Sequence, residues 1–121
     1  MMENKYEIST GTLECYSNYV LFNFDAAVYE REQARELTKA VDSHYKGRKC
    51  VIVANRDMAK IVNPEVYKDL KSKSIVGIAI VSNNEAVRAE AYKEQELFRG
   101  AFSYFQTIEQ AAGWAKTVVS D

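Results

Sequence analysis

Two continuous apolar runs constrain the fold of this chain more than any other feature of its sequence. The first is Val51-Ile52-Val53-Ala54, and the second, from Ile75 to Val81, reads IVGIAIV. Runs without a polar face are typical of parallel strands that are covered on both surfaces. The sequence therefore predicts an α/β protein in which Ile75 to Val81 is a central strand.

Shorter segments with alternating side chains precede these runs. Tyr6 and Ile8 stand before a turn at Ser9-Thr10-Gly11, and the segment from Leu13 to Tyr16 follows the turn. The next segment, Tyr19 to Phe24, alternates with the period of two that a strand requires. These segments predict N-terminal antiparallel strands, and hence a mixed sheet.

Helix signals follow each of the later strands. The predicted helices run from Tyr29 to Tyr45, from Pro64 behind an Asn63 cap, from a cap at Ser82-Asn83-Asn84 to about Phe98, and from a Thr107 capping box onward. Together these signals predict four β-α units within a single domain, residues 1–121. We expect right-handed crossovers to place the helices on both faces of the sheet.

Charge and hydropathy exclude several classes of function. The chain has 16 basic and 17 acidic residues and a net charge of −1, which offers no basic excess for nucleic-acid binding. No stretch approaches the roughly 20 apolar residues of a membrane-spanning helix. The first residues, MMENKYEIST, lack the apolar run of a signal peptide. A cytoplasmic location is therefore expected.

Residues that could carry catalysis are sparse. The only histidine is His44, near a predicted helix end, where it can cap carbonyl groups or favour the helix dipole. Cys15 and Cys50 lie in predicted strands without metal-like spacing, which indicates small buried side chains. Motifs for a serine nucleophile or a phosphate loop are missing from the sequence. We expect no enzyme activity, no metal and no cofactor.

The acidic side chains of the helices are interpreted as solvated. Glu90 and Glu94 are four residues apart, as are Glu32 and Glu36. Pairs at this spacing usually lie on an exposed helix face among lysines and arginines. They do not predict a catalytic carboxylate pair.

Polar side chains collect where the two apolar runs end. The candidate site residues are Asn55, Arg56, Asp57 and Met58 after the first run, and Ser82, Asn84 and Arg88 after the second. Parallel strands bring their carboxyl ends to one edge of a sheet, where ligands commonly bind. Two arginines beside helix N-termini would suit an anion.

Structural roles are an alternative for the same residues. Asn63, Ser82 and Asn83 can serve only as caps, and Asp57 can pair locally with Arg56. Met58, together with Ile61 and Val62, is apolar within this polar loop. These three residues either tuck beneath the loop or face a partner protein.

The order of segments resembles the SpoIIAA-like fold, which includes STAS domains and CRAL-TRIO-like bacterial proteins. The likeness is carried by NPEVYKDL, IVGIAIVS, RAEAYKEQELF and FSYFQTIEQAAGWAK. It implies N-terminal antiparallel strands and then four β-α units, with helices covering the sheet. STAS regulators of the anti-sigma factor antagonist type carry a phosphorylatable Ser or Thr in the region equivalent to 55–65. This chain has neither residue there.

These observations lead to two expectations about function. The first is a non-enzymatic cytoplasmic module, binding or regulatory, that contacts a protein partner without a phosphorylation switch. The alternative is a protein that binds a small anion or a lipid headgroup at the strand carboxyl ends. A homodimer is a further expectation, because eight tyrosines offer aromatic surface.

Overall fold

A mixed β-sheet organises the chain. The computed structural model describes residues 1–25, 29–56, 64–68, 70 and 72–120. The elements within these ranges are β1 (Asn4–Ile8), β2 (Gly11–Cys15), β3 (Tyr19–Phe24), α1 (Arg31–Tyr45), β4 (Cys50–Asn55), a 3₁₀ helix (Pro64–Lys68), β5 (Ile75–Val81), α2 (Glu85–Gln95), β6 (Ala101–Phe105) and α3 (Ile108–Ser120).

The strands lie in the sheet in the order in which they occur in the chain. From β1 to β3 they pair antiparallel, and from β3 to β6 they pair parallel. This arrangement confirms an α/β class with a mixed sheet and antiparallel N-terminal strands. It also confirms both apolar runs as interior strands, β4 and β5.

The three connections between the parallel strands cover the same face, which we call the first face. Side chains of α1, the 3₁₀ helix and α2 pack there against one set of strand residues. Because the strand order always advances in the same direction, crossovers of one hand must all fall on one side. The prediction that crossovers would supply helices to both faces is therefore wrong. The opposite, second face is covered by α3, which follows the last strand.

The first face has a large apolar core. Leu37, Val41 and Tyr45 of α1 and Val87 of α2 are all at most 1% exposed. Both cysteines are buried in this core, as the sequence predicted. Residues of even number in β4 point to this side, because side chains alternate along a strand.

The second face is closed by small residues. Ala111 and Ala115 of α3 are fully buried against Val53 and Ala79. Gly77 allows a close approach, because a Cβ atom there would lie 3.3 Å from Cγ1 of Val118. The last helix therefore forms the core of the second face.

Helix boundaries differ slightly from the expected ones. α1 begins at Arg31 rather than at Tyr29. Its N-cap is Glu30, whose N–H donates to Oε1 of Gln33 over 2.9 Å. α2 ends at Gln95, three residues before the predicted end. Among the described residues, no helix is long and apolar enough to cross a membrane.

Candidate functional site

Arg56 directs its side chain into the protein at the end of β4. Ile52, Ala54 and Arg56 alternate onto the first face, and the Arg56 N–H donates to the Val81 carbonyl over 3.0 Å. Only 5% of the residue is exposed. Arg56 is therefore buried, because the strand alternation continues one residue past β4, and its role in binding stays a prediction.

Glu94 is the counter-charge of Arg56. Its Oε1 and Oε2 atoms accept hydrogen bonds from Arg56 Nη1 over 2.9 and 3.1 Å. The residue is 4% exposed, since it follows Val87 and Ala91 on the buried stripe of α2. The interpretation of Glu94 as a solvated acid is wrong, because its position on the helix faces the core. Its neighbour Glu90, by contrast, is partly exposed and pairs with Lys93 at 3.4 Å.

Tyr67 completes this polar cluster from the 3₁₀ helix. Its hydroxyl donates to Oε1 of Glu94, so that the carboxylate accepts three hydrogen bonds from two residues. Burial, followed by the charge of Glu94, raises the pKa of Tyr67 above its ordinary value. The phenol therefore stays protonated at neutral pH and serves as a donor.

A cavity lies beside the cluster on the first face. Its volume is about 40 Å³, which is room for about three water molecules. Its walls are mostly apolar and come from β3, β4, β5 and the elements above them: Phe22, Phe24, Ile52, Ala54, Ile78, Ile80, Leu37, Leu70, Tyr29 and Tyr67, with Arg56 and Glu94. Burial and the nearby Glu94 also raise the pKa of Tyr29.

One donor in this wall has no protein partner among the described residues. Nη2 of Arg56 is buried and makes no hydrogen bond there, although Nη1 of the same guanidinium makes two. A buried donor without an acceptor costs about 1–3 kcal/mol, and more when it is charged. Apolar walls with one convergent polar group are typical of small-molecule sites.

The other predicted site residues are divided among different surroundings. Asn55 points to the second face, where its Nδ2 donates to Oδ1 of Asn23 over 3.2 Å. The Ser82 Oγ atom accepts from the Asn84 N–H over 3.0 Å, and Asn84 caps α2 by accepting from Ala86 N–H over 2.9 Å. Of the predicted Ser82-Asn83-Asn84 cap, Asn84 is therefore the N-cap of α2, whereas Ser82 forms a turn just before the helix.

Arg88 lies on the outer side of α2, away from the cavity. Its guanidinium stands 5.6 Å from the ring centre of Tyr92 and 5.8 Å from that of Tyr104. Its Nε donates to the Tyr92 hydroxyl over 3.1 Å. The structure thus places the two arginines in different surroundings, Arg56 in a buried ion pair and Arg88 on an aromatic surface.

Three predicted features lie outside the described residues. Asp57 and Met58 of the candidate site and the Asn63 cap fall within positions 57–63. Two interpretations therefore stay predictions. One is the local pair of Asp57 with Arg56, and the other is the placement of Met58, Ile61 and Val62.

His44 occupies a separate cluster near the N-terminus. Its Nδ1 lies 3.0 Å from the Tyr6 hydroxyl and its Nε2 lies 2.9 Å from Oε1 of Glu3. Arg48 also donates to Glu3, and these contacts lower the pKa of that carboxyl to about 2, with the Arg48 hydrogen bond as the largest cause. Within the described residues, no group of His, Cys, Asp or Glu is arranged to hold a metal ion.

Glu94, Tyr67 and Tyr29 are the site residues that sequence reasoning missed. A signal existed for Glu94, which falls three residues after Ala91 and four before Phe98 on the apolar stripe. An acid on a buried stripe requires a partner, and Arg56 stands on the buried line of β4. The two tyrosines gave no comparable signal, because aromatic side chains are equally expected in a core.

Comparison with known proteins adds no identification. No family model, curated protein or solved structure matches this chain. The likeness to SpoIIAA-like proteins therefore stays a resemblance in the order of the segments.

Proposed function

We propose that this chain is a non-enzymatic module that binds a small ligand in the cavity beside Arg56. The observation that carries the proposal is the buried Nη2 of Arg56, which lacks an acceptor among the described residues at the wall of an apolar cavity. A ligand oxygen there would remove the penalty for the unpaired donor. Binding would therefore stabilise the folded protein.

The surroundings of the cavity favour binding over catalysis. The Glu94 carboxylate already accepts from Arg56 and Tyr67, and both tyrosines of the wall have raised pKa values. A phenol whose pKa is raised is a poor proton donor at neutral pH. The single histidine belongs to the separate cluster with Tyr6 and Glu3.

Thermal denaturation with a broad panel of small molecules tests the proposal. A ligand at one hundred times its Kd adds about 2.7 kcal/mol to the free energy of unfolding. The shift should disappear in Ala54→Val, whose added methyl groups occupy the cavity, and should remain in Arg99→Met, a change at an exposed residue. Equal shifts in all three proteins, or none across the panel, would refute a site at Arg56.

We also propose that the fold of this chain is SpoIIAA-like. Two features support it: β3 to β6 follow one another across the sheet, and their connections share one face. A superhelix of β/α turns would have both features. The cytoplasmic location and a regulatory role remain predictions of the sequence.

A second candidate is protein contact through the outer side of α2 and β6. Tyr92 is 53% exposed and Arg88 lies against it, while β6 forms one edge of the described sheet. Edge strands and exposed aromatic side chains both favour association. Sedimentation equilibrium of the wild type and of Tyr92→Ser tests pairing with a second copy. A concentration-independent monomer in both proteins would exclude the homodimer.

A further inference from the structure

We infer that the cavity accepts a small uncharged carboxamide, rather than an anion. This inference rests on the proposed small-ligand function and names the chemical class of the ligand. It follows from the charges, the hydrogen-bonding atoms and the volume of the site.

The charge of Arg56 is already balanced. Glu94 lies 2.9 Å from Nη1, and both side chains are 5% exposed. An incoming anion would lose its hydration and meet an ion pair in which the positive charge is not free to compensate it. An uncharged oxygen accepts the hydrogen bond of Nη2 with a much smaller loss of hydration.

The ion pair also retains an acceptor. Within the described residues, Oε1 of Glu94 accepts from Arg56 and Tyr67, whereas Oε2 accepts only from Arg56. A carboxylate oxygen has two lone pairs, so Oε2 can take another donor. A primary amide offers both groups that the pair lacks, a carbonyl oxygen for Nη2 and an N–H for Oε2.

Volume and wall chemistry limit the remainder of the ligand. A cavity of about 40 Å³ holds the amide head and few further atoms. Ala54, Ile78 and Ile80 present aliphatic groups to it, and Phe22 and Phe24 present rings. These walls favour a group as small as a methyl over a polar substituent.

Three small isosteric probes, which fit the cavity volume best, test the inference: acetamide, acetone and acetate. Their dissociation constants can be measured by titration of protein NMR signals at millimolar probe concentrations. We expect the amide to bind at least about tenfold more tightly than the carboxylate, because only the carboxylate must bury a net charge. The ketone should fall between them, since it lacks the N–H group.

Variants assign the binding to the cavity. Amide binding should be lost in Arg56→Met/Glu94→Met, which removes both charges and both hydrogen-bonding groups together, and retained in Arg99→Met. Ala54→Val provides a second test that leaves the ion pair intact, should the double variant fail to fold. Binding that persists in Ala54→Val would overturn the inference.

The outcomes separate the inference from the function on which it rests. A carboxylate that binds as tightly as the amide would overturn the uncharged class and leave a small-ligand site. A ketone equal to the amide would overturn the role of Glu94 Oε2. No binding of any probe, together with no shift across the broad panel, would mean that the cavity holds only water, and both proposals would fail.

Discussion

On the second face of the sheet, α3 packs Ala111 and Ala115 against Val53 and Ala79, while on the first face α1, the 3₁₀ helix and α2 surround an ion pair and a cavity. Both faces bury strands from the same sheet. The second is filled by small apolar groups, whereas the first contains the two charged residues that are buried in the described chain. Departures of this kind from apolar packing are expected where a protein has a function to perform.

Removing one charge from the first face should produce the largest effect. Arg56→Met leaves Glu94 buried without its counter-charge, and such losses typically lower the free energy of unfolding by about 3–5 kcal/mol. Arg56→Met/Glu94→Met should recover most of that loss, because no buried charge remains. Urea denaturation of Arg56→Met, Glu94→Met and the double variant measures the coupling between the two side chains. If the stability losses of the two single variants add up to that of the double variant, the two side chains are not coupled, and the ion pair does not distinguish the first face.

Adding the same atoms to each face compares their packing directly. Ala54 lines the cavity of the first face, and Ala79 is fully buried on the second. Ala54→Val should leave stability unchanged or raise it by up to about 1 kcal/mol, because it fills space. Ala79→Val should lower stability by about 1–3 kcal/mol through overpacking. Equal losses in thermal denaturation would show that the cavity is not available space.

Much of the fold could be predicted from the sequence, because its signals are local. The runs in β4 and β5, the Asn84 cap and the Thr107 cap each depend on a few adjacent residues. The placement of all crossovers on one face could not be predicted in the same way. It depends on the order of strands in the sheet, which no local pattern specifies.

The candidate site was predictable only in part. The periodicities of β4 and α2 contain enough information to bury Arg56 and Glu94 and hence to pair them. The cavity depends instead on how completely side chains from three covering elements fill the space above the strands. That volume is a property of packing and has no signature in sequence spacing.

The buried thiols of the first face predict a loss of stability at alkaline pH. Burial raises the pKa of Cys15 to about 11 and that of Cys50 to about 12. The unfolded thiols ionise near pH 9 and the folded ones do not, so unfolding releases protons and becomes more favourable as pH rises. We expect Cys50 to contribute about 1–2 kcal/mol of this loss between pH 7 and pH 10.

Chemical denaturation at the two pH values tests this expectation. The pH-dependent loss of stability should be smaller in Cys50→Ala than in the wild type. Because the free energy of unfolding of each protein is compared between the two pH values, the constant cost of removing the buried sulfur atom cancels. The native thiols should also resist a thiol-specific reagent until the protein unfolds. Rapid labelling of the folded protein would contradict the burial of both cysteines.

The smallest expected effects concern the helix starts, where the two faces should behave alike. Asn84 caps α2 on the first face by accepting from Ala86 N–H over 2.9 Å, and Thr107 caps α3 on the second by accepting from Gln110 N–H over 3.1 Å. Each cap satisfies a backbone donor at an exposed position, so Asn84→Ala and Thr107→Ala should each lower stability by about 1 kcal/mol. Thermal denaturation of both variants measures these losses. A much larger loss at Asn84 would mean that the start of α2 also supports the buried Glu94, ten residues along the helix, and that the difference between the two faces extends to the caps of their helices.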